Sequence, residues 1–231
     1  MFRHWLAGPW GWPRLAEYRG LLVDFGGVLT TSLRDAFHSF TEREGIDYER
    51  VREAIRTAYG SPDAESMIAR FETGKLEQEH FERELAAALS RGLDSPIAPE
   101  RLVTRMLQDL RLDEEMIEAV RTARGAVATG LLSNSWGVGY YPRDLLAELF
   151  DEVVISGEVG LRKPDPPIFA VAAERMGLPP EQCVFVDDLP GNIEAAEALG
   201  MRGVLHEVAA TTIPELERLL GIPLSRAVDN L

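Results

Sequence analysis

The chain has 231 residues, of which 45% are hydrophobic and 27% are charged, a composition typical of a globular protein and not of a disordered or fibrous one. Lys and Arg total 24 against 38 Asp and Glu, so the net charge of −14 disfavours nucleic acid as a partner but permits a small phosphate ester bound beside a cation. The single cysteine, Cys183, excludes an internal disulfide and fits a reducing compartment.

Residues 1–18 are predicted to form an N-terminal extension that packs on the surface or contacts a partner through its tryptophans. Pro9, Gly11 and Pro13 interrupt any apolar run that resembles a secretion signal. No later stretch reaches the ~18 consecutive apolar residues of a membrane span. We therefore predict a cytoplasmic protein without membrane contact, and we leave its oligomeric state, monomer or homodimer, open.

The first predicted strand is the apolar run at residues 20–25, which ends at the glycine pair Gly26 and Gly27. Asp24 lies near the end of this run. Glycines next to it let backbone N–H groups approach an anion, and a carboxylate in that position can attack phosphorus. An isolated Asp in such a turn more often caps the turn, so both interpretations stay open at this point.

The segment that follows, residues 34–110, shows helical periodicity with repeated charges and contains no convincing strand. We predict that it forms an all-helical insert, smaller than the rest of the chain. The remaining residues, 19–33 and 111–231, are predicted to form the core domain.

From about residue 114 onward, short apolar strands alternate with helices. This alternation predicts an α/β fold, a doubly wound parallel sheet with helices on both faces. The predicted strands are 127–133, 153–156, 184–186 and 203–205, and the predicted helices are 114–123, 167–176, 192–199 and 214–220. Gly177, Gly200 and Gly221 follow helix ends, where a left-handed residue is favoured.

Polar side chains follow several of these strands. In doubly wound sheets the ligand binds beyond the carboxyl ends of the strands, so these side chains are expected to meet in one crevice. The candidates are Asp24, Ser133, Asn134, Lys163, Asp187 and Asp188.

Asp187 and Asp188 are adjacent carboxylates at the end of a buried strand, where they repel each other unless a cation is present. Mg²⁺ prefers hard oxygen ligands, and Asp24 together with Asp188 would supply them. Alternatively, the pair caps the helix that begins near Asn192, and both interpretations can hold together.

Lys163 lies in a turn bounded by prolines, which would hold its ammonium against a phosphoryl group or against the nucleophile. Ser133 and Asn134 offer a hydroxyl and an amide for the oxygens of a transferred group. Each of these residues alone fits an ordinary surface lysine or a capped turn equally well.

Taken in order, these residues resemble the four motifs of the haloacid dehalogenase-like (HAD) superfamily. The motifs correspond to residues 24–30, 132–135, 163–166 and 186–192, and the resemblance covers roughly residues 19–222. The helical insert resembles the family's C1-type cap, and residues 71–75 resemble a recurrent cap segment.

The resemblance implies a magnesium-dependent hydrolase of a small phosphorylated metabolite, with a role for each residue. Asp24 would be the nucleophile, and Lys163 would steady the charges. The metal ligands would be Asp24, the Gly26 carbonyl, Asp187 and Asp188, and the phosphoryl group would be bound by Gly27, Ser133 and Asn134.

One position departs from the family's usual phosphatase pattern. A second Asp two residues after the nucleophile usually serves as general acid and base, whereas this chain has Gly26 there. General acid–base help is worth roughly 10²–10⁴ in rate. The alternatives are therefore a phosphatase limited to activated leaving groups, a metal-independent 2-haloacid dehalogenase, or a catalytically weak regulator that binds a phosphorylated metabolite.

Residues 136–142 form an aromatic segment after the second motif. The segment either lines the crevice or packs against the helical insert. The histidines show no metal-ligand spacing and are assigned no role.

Overall fold

The computed structural model describes residues 18–59, 66–137 and 140–224, so most of the predicted N-terminal extension lies outside the described residues. Five parallel strands form one sheet in the order β3-β2-β1-β4-β5. The strands are β1 (Gly20–Val23), β2 (Ala128–Ser133), β3 (Glu152–Ile155), β4 (Cys183–Asp187) and β5 (Arg202–Leu205). The doubly wound parallel sheet predicted from the sequence is confirmed.

The helices divide into two groups along the chain. Between β1 and β2 the first five are α1 (Leu33–Glu44), α2 (Tyr48–Tyr59), α3 (Met67–Glu72), α4 (Gln78–Leu89) and α5 (Leu102–Leu107). The others are α6 (Glu114–Arg124), α7 (Arg143–Leu149), α8 (Ser156–Val159), α9 (Pro166–Arg175), α10 (Pro190–Ala198) and α11 (Ala209–Leu220). In the part of the chain that the structure describes, no helix is both long and apolar enough to cross a membrane.

Both faces of the sheet are covered because side chains alternate along each strand. On β1, Leu21 and Val23 pack with α6, α7 and α11 on one face. Leu22, which lies between them, packs on the other face with Phe169 of α9 and Ile193 of α10. The central strand is therefore apolar on both sides, as is usual for a buried parallel strand.

Helices α1 to α5 form a helical cap with a hydrophobic cluster of their own. Phe40 of α1, Phe81 of α4 and Leu102 of α5 are fully buried there. The rings of Phe71 and Phe81 stack with centroids 4.1 Å apart. The amphipathic helices of this segment therefore bury their apolar faces mainly against one another.

The boundaries of several elements differ from the sequence prediction. Strand β1 ends at Val23, before the nucleophile candidate, and β3 ends at Ile155 because the next residue begins the unpredicted short helix α8. Helix α11 begins at Ala209, so Pro214 lies inside it and not at its start. Burial of Leu216 and its neighbours on one face stabilises the helix although the proline removes an amide donor.

The three glycines predicted to end helices do adopt the left-handed conformation. The φ angles are 66° at Gly177, 103° at Gly200 and 69° at Gly221. Each of these residues turns the chain toward a strand or out of the last helix, which fixes where the next element begins.

Candidate active site

A buried lysine joins two strand ends at the carboxyl edge of the sheet. Asp24 follows β1, and Asp187 ends the neighbouring strand β4. Lys163, in the loop between α8 and α9, places its Nζ 2.9 Å from Asp24 Oδ1 and 2.6 Å from Asp187 Oδ2. Its side chain is only 1% exposed, so this ion-paired group is shielded from solvent.

The charges around Lys163 do not cancel. Burial alone would lower the pKa of Lys163, but Asp187 and Asp24 outweigh that effect and raise the pKa, so the ammonium is kept. The pKa of Asp24 is raised by burial and by the charge of Asp187, against the opposing effect of Lys163. The single positive charge of Lys163 is therefore shared by two carboxylates, Asp24 and Asp187.

Three carboxylates are arranged as a possible cation site. Asp24, Asp187 and Asp188 each offer one oxygen, and these oxygens lie within 4.8 Å of one another. Burial and the two neighbouring carboxylates raise the pKa of Asp188 to about 7. Close, incompletely neutralised carboxylate oxygens are the donor set that a hard divalent cation prefers.

Asp187 also holds the start of the next helix. Its Oδ1 accepts hydrogen bonds from the Leu189 backbone N–H and the Asn192 amide, both at 2.9 Å. Its Oδ2 accepts from Lys163. Asp187 therefore anchors α10 through Leu189 and Asn192 and also contributes charge to the cluster, whereas the N-cap residue of the helix is Leu189, without a side-chain cap. The role of the pair as cation ligands stays a prediction.

The two glycines after Asp24 meet very different surroundings. Gly27 has φ +79°, and a Cβ there would lie 2.4 Å from Asp188 Oδ2. Gly26 has no positive φ, and its Cβ would meet only the Leu33 side chain, at 3.4 Å. Gly27 is therefore required by the backbone, whereas Gly26 faces an apolar side chain where the family's usual acid would stand.

Several predicted phosphoryl-binding groups already have protein partners. Ser133 Oγ accepts a hydrogen bond from the Tyr141 hydroxyl at 3.1 Å, and the Gly27 N–H donates to Thr30 Oγ1 at 3.1 Å. The Asn134 amide accepts from Lys163 N at 2.8 Å and donates to Lys163 O at 3.0 Å. The Asn134 side chain thus fixes the backbone of the lysine loop.

A second ion pair connects the cap to the core beside this loop. Glu72, at the end of α3, is 2% exposed, and its Oε2 accepts from Arg162 Nε at 2.6 Å. Its backbone carbonyl accepts from Ser156 Oγ at 2.5 Å. Burial raises the pKa of Glu72, and Arg162 opposes that rise. The cap is therefore held to the core next to the crevice.

The crevice between cap and core has a volume of about 540 Å³. Asp24, Ser133 and Asp188 line its core side, while Phe37 and Ile55 line its cap side. A larger cavity of about 830 Å³ lies at the opposite, amino end of the strands, and none of the predicted site residues lines it.

A family model described as a haloacid dehalogenase-like hydrolase matches residues 18–200. The chain belongs to this family. As a HAD-like hydrolase, it has the enzymatic class that the order of its strand-end residues predicts, and that prediction is confirmed.

Curated relatives of this HAD-like hydrolase include two phosphatases matched over nearly their whole length. Fructose-1-phosphate phosphatase of Escherichia coli is 30% identical over 81% of this chain and 96% of the relative. Sesquiterpene phosphatase of Aspergillus oryzae is 27% identical over 88% of this chain and 97% of the relative. Mouse acyl-CoA dehydrogenase family member 10 is 29% identical over 93% of this chain, which spans only 20% of that longer protein.

Solved structures of HAD proteins share the fold. A HAD-like family hydrolase of Porphyromonas gingivalis is 25% identical with a TM-score of 0.66, covering 89% of this chain and 98% of the other. A HAD family enzyme of Bacteroides thetaiotaomicron, solved with magnesium and inorganic phosphate, is 19% identical with a TM-score of 0.57 and coverages of 82% and 94%.

Sequence reasoning about this HAD-like hydrolase missed the cap side of its crevice. Residues 71–75 resemble a cap segment, but no pattern in the sequence predicts the ion pair between Glu72 and Arg162. In the aromatic segment after β2, of which residues 138 and 139 lie outside the described residues, Trp136 has both of the predicted roles. Trp136 packs against Phe37 at 5.8 Å between ring centroids and also lines the crevice.

Proposed function

We propose that this HAD-like hydrolase is a magnesium-dependent phosphatase that releases phosphate from a small phosphorylated metabolite through an aspartyl-phosphate on Asp24. The observation that carries the proposal is the cluster in which Asp24 lies within 4.8 Å of two further carboxylates while Lys163 contacts it at 2.9 Å. A nucleophilic carboxylate beside a cation site is the arrangement that attack on a phosphate dianion requires.

The proposed cation is Mg²⁺, held by Asp24, Asp187, Asp188 and the Gly26 carbonyl. The raised pKa values of Asp24 and Asp188 support a cation here, because Lys163 alone leaves both carboxylates under-neutralised. The magnesium and phosphate bound by the Bacteroides enzyme are consistent with the same chemistry. When bound, Mg²⁺ would neutralise phosphoryl charge and so lower the electrostatic barrier to attack.

In the proposed mechanism an oxygen of Asp24 attacks phosphorus, and the bond from phosphorus to the ester oxygen breaks. The electron pair leaves with the alcohol oxygen, and an acyl phosphate remains on Asp24. Water then attacks this phosphorus, which releases inorganic phosphate and regenerates the carboxylate. Lys163 keeps its proton and stabilises the anionic oxygens, and Gly27, Ser133 and Asn134 are proposed to contact or position the phosphoryl group.

We propose further that residues 34–110 close over the crevice as a cap, while residues 19–33 and 111–231 form the core domain. The Glu72–Arg162 ion pair and the crevice between cap and core support this division. A closed cap excludes bulk water from the nucleophile and strengthens its electrostatic interactions. A cytoplasmic location remains a prediction from the sequence.

Metal dependence is tested with an aryl phosphate, because a phenolate leaves without needing a proton. Exhaustive chelation is expected to abolish phosphate release, and Mg²⁺ is expected to restore it. Ca²⁺ is not expected to restore phosphate release, since it prefers more ligands at longer distances. Full phosphate release by the chelated protein would contradict the magnesium dependence. Halide release from a 2-haloacid by the chelated protein, without phosphate release, would instead favour the metal-independent dehalogenase, an alternative that the three clustered carboxylates disfavour.

The missing acid at Gly26 makes a second test of the mechanism. Without a proton donor, the rate should fall steeply from aryl to sugar phosphates as the leaving group becomes more basic. Gly26→Asp is expected to raise sugar phosphate hydrolysis by about 10-fold or more, with a smaller effect on the aryl ester. Gly26→Ala is the matched control, because it adds the same Cβ beside Leu33 without an acid.

A non-catalytic role is the second candidate, and it is favoured by the apolar neighbour of Gly26. If wild type hydrolyses neither ester but binds inorganic phosphate in a Mg²⁺-dependent manner, the chain is a phosphometabolite-binding protein. Hydrolysis of the aryl ester that disappears in Asp24→Asn supports the phosphatase instead.

A further inference from the structure

The cap side of the crevice presents an apolar wall. We use this name for Leu33 and Phe37 of α1, Ile55 of α2, and Trp136 and Tyr140 of the segment after β2. All five side chains are partly buried against the cap cluster and also line the crevice that contains Asp24. They are therefore apolar surface that the fold leaves facing the space above the nucleophile.

The helices that carry the wall already have a different buried face. On α1, Phe40 is fully buried in the cap cluster, and on α2 Val51 is 1% exposed. Phe37 and Ile55 lie on other positions of the same helices and keep part of their surface in the crevice. An apolar surface inside a concave site is the usual signature of a bound apolar group.

The hydrogen-bonding side chains described beside this wall are those of Ser32, Arg34 and Tyr140. Ser32 Oγ, at the start of α1, already accepts from the Arg34 N–H at 3.1 Å. The buried Tyr140 hydroxyl has no hydrogen-bond partner of good geometry among the described residues. Its neighbour Thr30 already accepts from Gly27 N and donates to Thr31 O. Of the groups described beside the wall, Arg34 is the one exposed cation.

The charged and amide side chains of the crevice lie mainly on its core side. Asp24, Glu72, Asn134, Arg162 and Lys163 all lie on or beside the lysine loop and the strand ends. A sugar or nucleoside bound with its phosphate at Asp24 would place several hydroxyls against apolar side chains. Each hydroxyl that loses water without gaining a partner weakens binding.

We propose that the alcohol released by this enzyme is apolar, an aromatic or medium-length aliphatic group packed on the apolar wall, and not a sugar or a nucleoside. This inference rests on the proposed phosphatase function. The aromatic members of this class also fit the lack of an acid at Gly26, because an aromatic alcohol departs as a stabilised phenolate, whereas an aliphatic alcohol would leave more slowly. The wall thus selects the substrate while the strand ends perform the chemistry.

The test uses a series of 4-alkylphenyl phosphates, from phenyl phosphate to 4-butylphenyl phosphate, with Mg²⁺ present. The leaving groups differ in apolar surface and hardly at all in basicity, so the series separates binding from chemistry. We expect kcat/KM to rise about two- to fourfold with each added methylene, chiefly through a lower KM. A hexose phosphate is expected to be a poorer substrate than every member of the series.

Two variants assign the effect to the wall. Ile55→Thr replaces a partly buried aliphatic side chain with a polar one, and it is expected to reduce the slope of kcat/KM against chain length. Val208→Thr makes the matched change at an apolar residue that is 53% exposed and does not line the crevice, and its slope should equal that of wild type. Thermal unfolding of both variants shows that each is folded.

The corresponding 4-alkylphenyl phosphonates, which cannot be hydrolysed, measure binding to wild type by calorimetry. Affinity that rises with the length of the alkyl chain supports the apolar wall, even if no ester is hydrolysed. A lack of hydrolysis would reject only the phosphatase function. A flat or falling affinity, or a hexose phosphate preferred over the whole series, overturns the apolar substrate. That outcome together with Mg²⁺-dependent hydrolysis of phenyl phosphate leaves the phosphatase function intact.

Discussion

The two sides of the crevice differ in how the chain determines them. On the core side, Asp24 and Asp187 meet because parallel strands β1 and β4 are neighbours that end at the same edge. On the cap side, Phe37 and Trp136 meet only because separate helices and a loop pack together. The groups proposed to react are therefore brought together by sheet geometry, whereas the groups proposed to contact the rest of the substrate are brought together by packing between helices.

The largest effect is expected at the proposed nucleophile on the core side. Asp24→Asn keeps the shape of the side chain but removes the charge that attacks phosphorus, so kcat on an aryl phosphate should fall at least about 10³-fold. Asp144→Asn, at an exposed position on α7, is the matched control and should leave kcat unchanged. Full turnover by the Asp24 variant would show that another group attacks phosphorus.

Lys163 should matter to stability as well as to activity, because it is the cation that two buried carboxylates share. Lys163→Met leaves Asp24 and Asp187 unpaired, and the free energy of unfolding should fall by about 3–5 kcal/mol. The exposed Arg52→Met should change it by less than about 0.5 kcal/mol. Urea titrations measure both, and a similar loss in the two variants would contradict the buried ion pair.

The two glycines beside the nucleophile offer a matched pair of substitutions. Gly27→Ala forces a Cβ onto Asp188 at a positive φ and should cost about 1–3 kcal/mol of stability. Gly26→Ala meets only the Leu33 side chain at ordinary contact distance and should change stability by less than about 1 kcal/mol. Denaturant unfolding compares them, and equal losses would mean that the approach to Asp188 is not a constraint.

The smallest effect concerns the pH dependence of the metal-free protein. The pKa of Asp188 is raised from 3.8 to about 7 by burial and by its neighbours Asp24 and Asp187. The folded state therefore holds this proton more tightly than the unfolded state does. The free energy of unfolding should decrease as pH rises from about 4 to about 7, by about 1–2 kcal/mol after allowance for partial exposure.

Asp188→Asn tests this interpretation because it removes the titrating group with little change in shape. The variant should lose that part of the slope between pH 4 and pH 7 when unfolding is measured without metal. Mg²⁺ should stabilise wild type most at the upper end of the range, where the carboxylate is ionised. An unchanged slope in the variant would assign the pH dependence to other groups.

The core could be predicted from the sequence because its signals are local. An apolar run followed by a polar residue marks a strand end, and the parallel arrangement then brings Asp24, Lys163, Asp187 and Asp188 to one edge. The predicted start of α11 at Pro214 is wrong, because the helix begins one turn earlier, at Ala209, where Ala209 and Thr212 are buried. Local propensity was outweighed there by tertiary packing.

The cap side could be predicted only as far as its helices. Periodicity identifies α1 to α4 as amphipathic, but it does not show that Phe37 and Ile55 face the crevice while Phe40 faces the cap cluster. The Glu72–Arg162 pair joins residues far apart in the chain, and no spacing rule connects them. Such contacts depend on the angle at which whole helices cross, which single-sequence patterns do not contain.

The junction between the cap and the core shows how this crevice can change. Thr30 and Leu112 form an antiparallel bridge, and Thr31 N donates to Arg111 O at 2.8 Å where the chain leaves the core and returns to it. The two ends of the insert are thus fastened to each other, and the entropic cost of closing such a loop rises only with the logarithm of its length. An insert of another size or shape could be exchanged at this junction while β1 and α6 keep their places. The half of the crevice that is proposed to recognise the alcohol could therefore be replaced in evolution without moving the half that is proposed to cleave the ester.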